Sequence, residues 1–154
     1  MKLPKISIPN PEKYGFTLIE VIVVMAMLGL LSLLGLAISF DSYQRYNFRA
    51  EKSLVQNILQ KARSQAIGNI DQLPHGFHIS GDFYTLYEGS SWIGRNANKD
   101  LAFPRGSGIS TSGSGDIIFR PLTGSCNTLG SFTIASKNSQ AVFSINQTGQ
   151  INVQ

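Results

Sequence analysis

Residues 16–40 read FTLIEVIVVMAMLGLLSLLGLAISF, and 19 of these 25 residues are apolar. At 1.5 Å per residue a helix of that length spans about 37 Å, enough to cross a hydrocarbon core of about 30 Å. A membrane span is the first expectation. Ahead of it Lys2, Lys5 and Lys13 stand against Glu12 alone, and Pro4, Pro9 and Pro11 keep that stretch from being helical. The lysine excess favours a cytoplasmic N-terminus. Arg45 and Arg49 beyond the span weaken the asymmetry, although Asp41 and Glu51 stand beside them.

An uncleaved signal anchor would account for the apolar run. A secretory signal peptide fits less well, because its apolar region is about 7–15 residues long, even though Ala37 and Ser39 resemble the small residues of a cleavage site. Neither explains Glu20, a lone carboxylate four residues into the run. At that depth an ionisable group costs about 2.5–3.5 kcal/mol on insertion scales, unless it is protonated or paired, and it reads as functional.

Gly15-Phe16-Thr17-Leu18-Ile19-Glu20, followed by Val21-Ile22-Val23-Val24, resembles the processing site of type IV prepilins and type II secretion pseudopilins. The resemblance implies cleavage between Gly15 and Phe16 by a prepilin peptidase, N-methylation of Phe16, and dependence of filament assembly on Glu20. It also implies as partners other pilin or pseudopilin subunits, an inner-membrane assembly platform and membrane lipid. Electrostatics agrees with that role. A cationic amine at Phe16 of one subunit offers Glu20 of a neighbour the partner it lacks, and in low dielectric such a pair fixes the axial register.

After Phe40 the helical period continues with a different composition. Ala50, Leu54, Val55, Ile58, Leu59, Ala62 and Ala66 form one apolar stripe, opposite Arg49, Lys52, Gln56, Gln60 and Lys61. Gly68-Asn69 supplies the stop. One helix of about 50 residues from Phe16 to Ile67 is the simplest expectation, apolar all round in its first half and amphipathic in its second. Gly29 and Gly35 are either points of softening or sites of close packing between membrane helices.

Beyond Pro74 the period becomes two. Gly76–Ser80, Gly81-Asp82 and Phe83–Tyr87 predict a β-hairpin. Residues 89–115 read mainly as loop, with 106–115 a Gly/Ser run. Strands are expected at Ile117–Arg120, Phe132–Ser136, Ala141–Asn146 and Gln150–Val153. The fold class is α+β, pilin-like: a long N-terminal helix packed on a small antiparallel β-sheet head. The expected divisions are a cleaved leader at 1–15, a transmembrane and filament-core helix at 16–40, its amphipathic continuation at 41–69 and a β-rich head at 70–154. Within the prepilin class, Leu59–Ile67, Ile118–Gly124 and Phe143–Ile151 resemble the GspH/FimT minor pseudopilins.

The 154 residues carry 13 Lys or Arg against 9 Asp or Glu, 14% charged where a soluble domain holds about 25%. Residues 41–154 alone are still only about 15% charged, so the membrane segment does not explain the shortage. No enzyme constellation emerges, and no cofactor or metal is implied. His75 and His78 are three apart on a strand and point to opposite faces, so a solvated hairpin accounts for them better than a metal pair. Asp82, Asp100 and Asp116 lack EF-type spacing and read as turn residues. Gly106-Ser107-Gly108 lacks the setting of a phosphate loop. Cys126 is alone and reads as an inert thiol.

The expected function is a non-enzymatic minor pilin or pseudopilin of a type IV pilus or type II secretion-like filament. It would be a single-pass inner-membrane protein with its N-terminus in the cytoplasm and its head periplasmic or extracellular. The alternative is a competence-type head that binds DNA, using Arg95, Lys99, Arg105, Arg120 and Lys137 with Trp92 and Phe103 as stacking platforms. Against it, Gln150-Ile151-Asn152-Val153 follow Gly149 where the DNA-binding relatives carry a basic motif.

Overall fold

The computed structural model describes residues 15–126 and 130–154, and for 35–41 the backbone alone. The expected leader therefore lies, up to residue 14, outside the described residues. The chain divides into two compact units, residues 1–41 and 42–154. The backbone is α-helical from Leu18 to Ile67 (α1).

Among the described residues of the first unit no side chain of α1 is buried. Phe16 is 83% exposed, and the apolar residues from Leu18 to Leu34 are exposed on every side of the helix. Nothing lies within 4 Å of a Cβ built on Gly29. Among the described residues no helix is long and apolar enough to cross a membrane.

The second unit holds two four-stranded antiparallel sheets, where a single sheet was expected. In the first sheet β1 (His75–Ser80) and β2 (Phe83–Glu88) form the predicted hairpin, joined at Gly81-Asp82 with Gly81 at φ +53°. β3 (Leu101–Pro104) flanks β2, and β5 (Asp116–Phe119) flanks β1. The second sheet runs in the order β4 (Ser110–Gly113), β6 (Gly130–Ser136), β7 (Ser139–Ile145), β8 (Ile151–Val153). β3 and β4 are two short strands within the stretch 89–115 that reads mainly as loop. Both are four-residue edge strands: β4, Ser-Thr-Ser-Gly, has no apolar residue, and β3, Leu-Ala-Phe-Pro, is too short to show a period and ends in proline, so pairing with their partners defines them.

One core joins the helix to both sheets. Val55, Ile58, Leu59, Ala62 and Ala66 of α1 are buried with Phe77, Tyr84 and Phe119 of the first sheet and Phe132, Ile134 and Phe143 of the second. Phe77 stacks on Phe132 across the seam at 5.5 Å, and Phe132 on Phe143 at 4.9 Å. The stripe is shifted at its start: Ala50 is exposed, and Phe48 and Glu51 are buried. Glu51 is satisfied by the chain between β3 and β4, its Oε1 accepting the Gly106 N–H at 3.1 Å. A Cβ at Gly106 would stand 3.0 Å from Oε2, a tight contact that would press on the carboxylate. The Tyr84 hydroxyl lies beside this carboxylate, and burial first and that charge second raise its pKa.

Helix α1 stops at the predicted place. Gly68 N–H returns to the Ser64 carbonyl at 2.9 Å, Asn69 turns left-handed, and Leu122 N–H caps the Ala66 carbonyl at 2.9 Å. The chain has the α+β, pilin-like architecture of a long N-terminal helix with antiparallel sheets. Replacing buried Glu51 by Ala removes its charge-assisted hydrogen bond to the Gly106 N–H and the packing of its stem. It is expected to cost about 1.5–3 kcal/mol in urea denaturation, with exposed Arg49→Ala within about 0.5 kcal/mol of wild type.

Candidate functional site

Gly15, Phe16 and Thr17 precede the first helical residue, Leu18. Among the described residues no atom lies within 4 Å of a Cβ built on Gly15, and the Phe16 side chain is exposed. The Thr17 hydroxyl accepts the Glu20 N–H at 3.3 Å, and its carbonyl accepts Val21 N–H at 3.2 Å. Thr17 is the N-cap and Glu20 the third helical residue, the Thr-x-x-Glu spacing of a capping box. The Glu20 carboxylate thus sits in the first turn, where the helix dipole favours negative charge. No described residue forms a salt bridge with it. The role of Thr17 was readable from that spacing but was obscured by the apolar run around it.

The head engages the basic residues considered for DNA. Arg95 Nε meets Asp100 Oδ2 at 2.7 Å, and its Nη1 donates to the Trp92 carbonyl. Lys99 bridges Asp71 and Glu88 at 2.8 and 2.9 Å. Arg105 donates to Thr111 at 2.9 Å and to Asp82 at 3.1 Å. Arg120 and Lys137 are exposed, on separate strand ends. Neither aromatic is available for stacking: Phe103 packs against the core, and Trp92 is covered on both faces. The His78 ring lies 3.8 Å from Trp92 at 12°, and the Arg95 guanidinium 3.4 Å from its centroid.

The histidines depart from the solvated hairpin expected of them. His75 is buried, with Nδ1 3.1 Å from the Leu73 carbonyl. His78 is half-buried between Trp92 and Asp116, its Nδ1 3.7 Å from Oδ1. Asp116 in turn accepts the Tyr87 hydroxyl at 2.6 Å. Their separation on opposite faces agrees with the strand geometry, and no metal-binding group of three or more His, Cys, Asp or Glu occurs among the described residues. Cys126 is buried and not disulfide-bonded. Burial lowers the pKa of both histidines, Asp116 opposing the shift at His78 and the Leu73 carbonyl and Glu88 opposing it at His75.

A depressed histidine pKa means that the unfolded chain binds the proton first as pH falls. Stability is therefore full above about pH 6.5 and falls as pH drops toward the folded-state values. Trp92, the one tryptophan of the chain, reports the stacked site directly. Its fluorescence is expected to titrate with a midpoint below 6.5, and His78→Gln to remove that titration. A midpoint unchanged by His78→Gln would assign the signal elsewhere.

Residues 11–36 match the prokaryotic N-terminal methylation motif. The matched stretch contains Gly15, Phe16 and Glu20 together with the exposed apolar turns of α1. Neither curated proteins nor solved structures gave a match. The motif supports a type IV pilin-like subunit, of the structural kind that is processed by prepilin peptidase and assembles with other pilin subunits.

Proposed function

We propose that the chain is a minor filament subunit, made as a membrane-anchored precursor and cut between Gly15 and Phe16. The observation that carries this reading is the methylation motif lying over an exposed apolar helix with one carboxylate in its first turn. Cleavage turns the Phe16 nitrogen into an amine, which is then methylated and stays cationic. The segment from Phe16 to Phe40 holds the precursor in the inner membrane with the lysine-rich leader inside and the head outside. Assembly transfers that apolar surface from lipid to neighbouring helices. Close packing supplies the attraction, and the contact between Glu20 and a neighbour's Phe16 amine sets the register.

A minor position of the GspH/FimT type is favoured by the Ala62-Arg63-Ser64 turn. Ala62 and Ala66 are fully buried, bringing the helix close to both sheets. The internal pairing of Arg95, Lys99 and Arg105 favours this reading over DNA uptake.

Two measurements test it. Mass spectrometry of the chain from cells with an active prepilin peptidase is expected to find N-methylated Phe16 at the mature terminus. An intact Met1 terminus returns the protein to the signal-anchor class. Glu20→Gln is expected to leave processing intact and to lower filament yield about tenfold or more, the loss of one charge-assisted contact in low dielectric. Wild-type yield from Glu20→Gln rules out the register mechanism while leaving the processing reading in place.

A further inference from the structure

An open groove of about 400 Å³ runs between the last turns of α1 and β8, lined by Gln60, Arg63, Ser64, Ile67, Gln150 and Ile151. Its two walls have different chemistry. One is the free edge of the second sheet, since β8 is its terminal strand. Val142 and Gln154 exchange both backbone hydrogen bonds at 3.0 Å, which fixes the alternation along the β7–β8 pair. The N–H and C=O groups of Ile151 and Val153 therefore point away from β7, along the free edge that Ile151 shares with the groove. Unpaired edge groups of this kind are a template for a further strand.

The other wall presents Arg63, the one charged residue lining the groove. Its Nη2 reaches the Thr148 carbonyl at a long 3.4 Å, and its Nε is buried with no hydrogen-bond partner among the described residues. The exposed Nη2 is therefore held by one long hydrogen bond alone, and a carboxylate in the groove offers it a stronger partner. The site around it is built for that side chain. A Cβ on Gly149 would stand 3.1 Å from Arg63 Nε and collide with the Gly124 carbonyl. A Cβ on Gly124 would stand 2.6 Å from Ile67 Cγ1 and 3.2 Å from Arg63 Cγ. Both glycines have positive φ, and the turn is fixed by Gln150 N–H on Asn146 Oδ1 at 2.8 Å. Ile67, 43% exposed, gives the floor an apolar surface.

We propose that this groove binds an extended segment of another protein chain that carries an Asp or Glu. The segment adds to β8 as a fifth strand and places its carboxylate on the planar fork of Arg63. Main-chain pairing with Ile151 and Val153 supplies affinity, and the guanidinium supplies the choice of side chain. The site belongs to the head alone and stands whether or not the chain is processed at Gly15.

The probe is the capped pentapeptide acetyl-Thr-Val-Asp-Val-Thr-amide, titrated into the full chain in detergent micelles and followed by amide NMR. Shifts are expected at Ile151, Val153 and the Arg63 Nε–H. The same peptide with Asn for Asp is expected to bind about tenfold more weakly, the size of one charge-assisted hydrogen bond. Arg63→Gln should bind the two peptides equally. Val153→Pro removes an outward N–H without touching the β7 ladder, and should abolish binding of both. If Arg63→Gln does not fold, the Asp and Asn peptides on the unaltered chain and Val153→Pro still decide. Four results overturn the proposal: no shift at Ile151 and Val153 with millimolar peptide, equal affinity for the Asp and Asn peptides on the unaltered chain, a concentration-dependent shift of these amides without peptide, which makes a second copy the occupant, or displacement of the peptide by a DNA duplex, which makes a phosphate backbone the occupant.

Discussion

A single helical stripe has to close two sheets at once. The amphipathic turns of α1 bury Val55, Leu59, Ala62 and Ala66 completely, and the aromatics they cover come from both sheets. Phe77 and Phe132 meet across the seam, so the stripe packs on a joint and not on a continuous surface. Such a joint needs small residues where the helix comes nearest and large ones where the sheets diverge. Ala62 and Ala66 are the former, and Phe77, Phe132 and Phe143 the latter. The chain crossing from β3 to β4 has to pass close to the helix, and the buried Glu51 holding Gly106 N–H fastens it there.

The period-two and period-3.6 patterns revealed the parts of the fold that bury their own residues: the helix, its stop at Gly68-Asn69, the first hairpin and β5 to β8. They were silent where a segment gains order only from a partner. β4 has no apolar residue, and nothing in Ser-Thr-Ser-Gly distinguishes it from a linker until Phe132 to Ala135 stand opposite. The stripe was traced through apolar residues alone, which placed Ala50 on the buried side and passed over Glu51. The methylation motif was legible because its signal is local: a glycine, an aromatic residue and a carboxylate at fixed spacing in an apolar run. The Arg63 site was not, since Gly124 and Gly149 matter only once three distant turns have met.

The shortage of charge takes on a different aspect in the folded head. Arg95, Lys99 and Arg105 each have an acidic partner within the same domain, which takes three cations out of an already small number of charges. Long-range steering is correspondingly weak. Recognition by such a surface has to rest on short-range features: exposed apolar side chains, free strand edges and individual donors. Thr17 extends the same economy to the N-terminus, where a hydroxyl satisfies one backbone donor of the first turn beside the Glu20 carboxylate.

The two sheets also differ in how far the chain must travel to complete them. β6, β7 and β8 follow one another through short turns, so most of the second sheet forms from neighbours in sequence. The first sheet closes only when β5 returns to β1 across the whole stretch from Ser80 to Asp116. Loop closure over that distance costs chain entropy before any pairing rewards it. The β6–β8 meander is thus the low-contact-order half of the head, able to offer Phe132 and Phe143 as a preformed aromatic surface on which the slower half completes its folding.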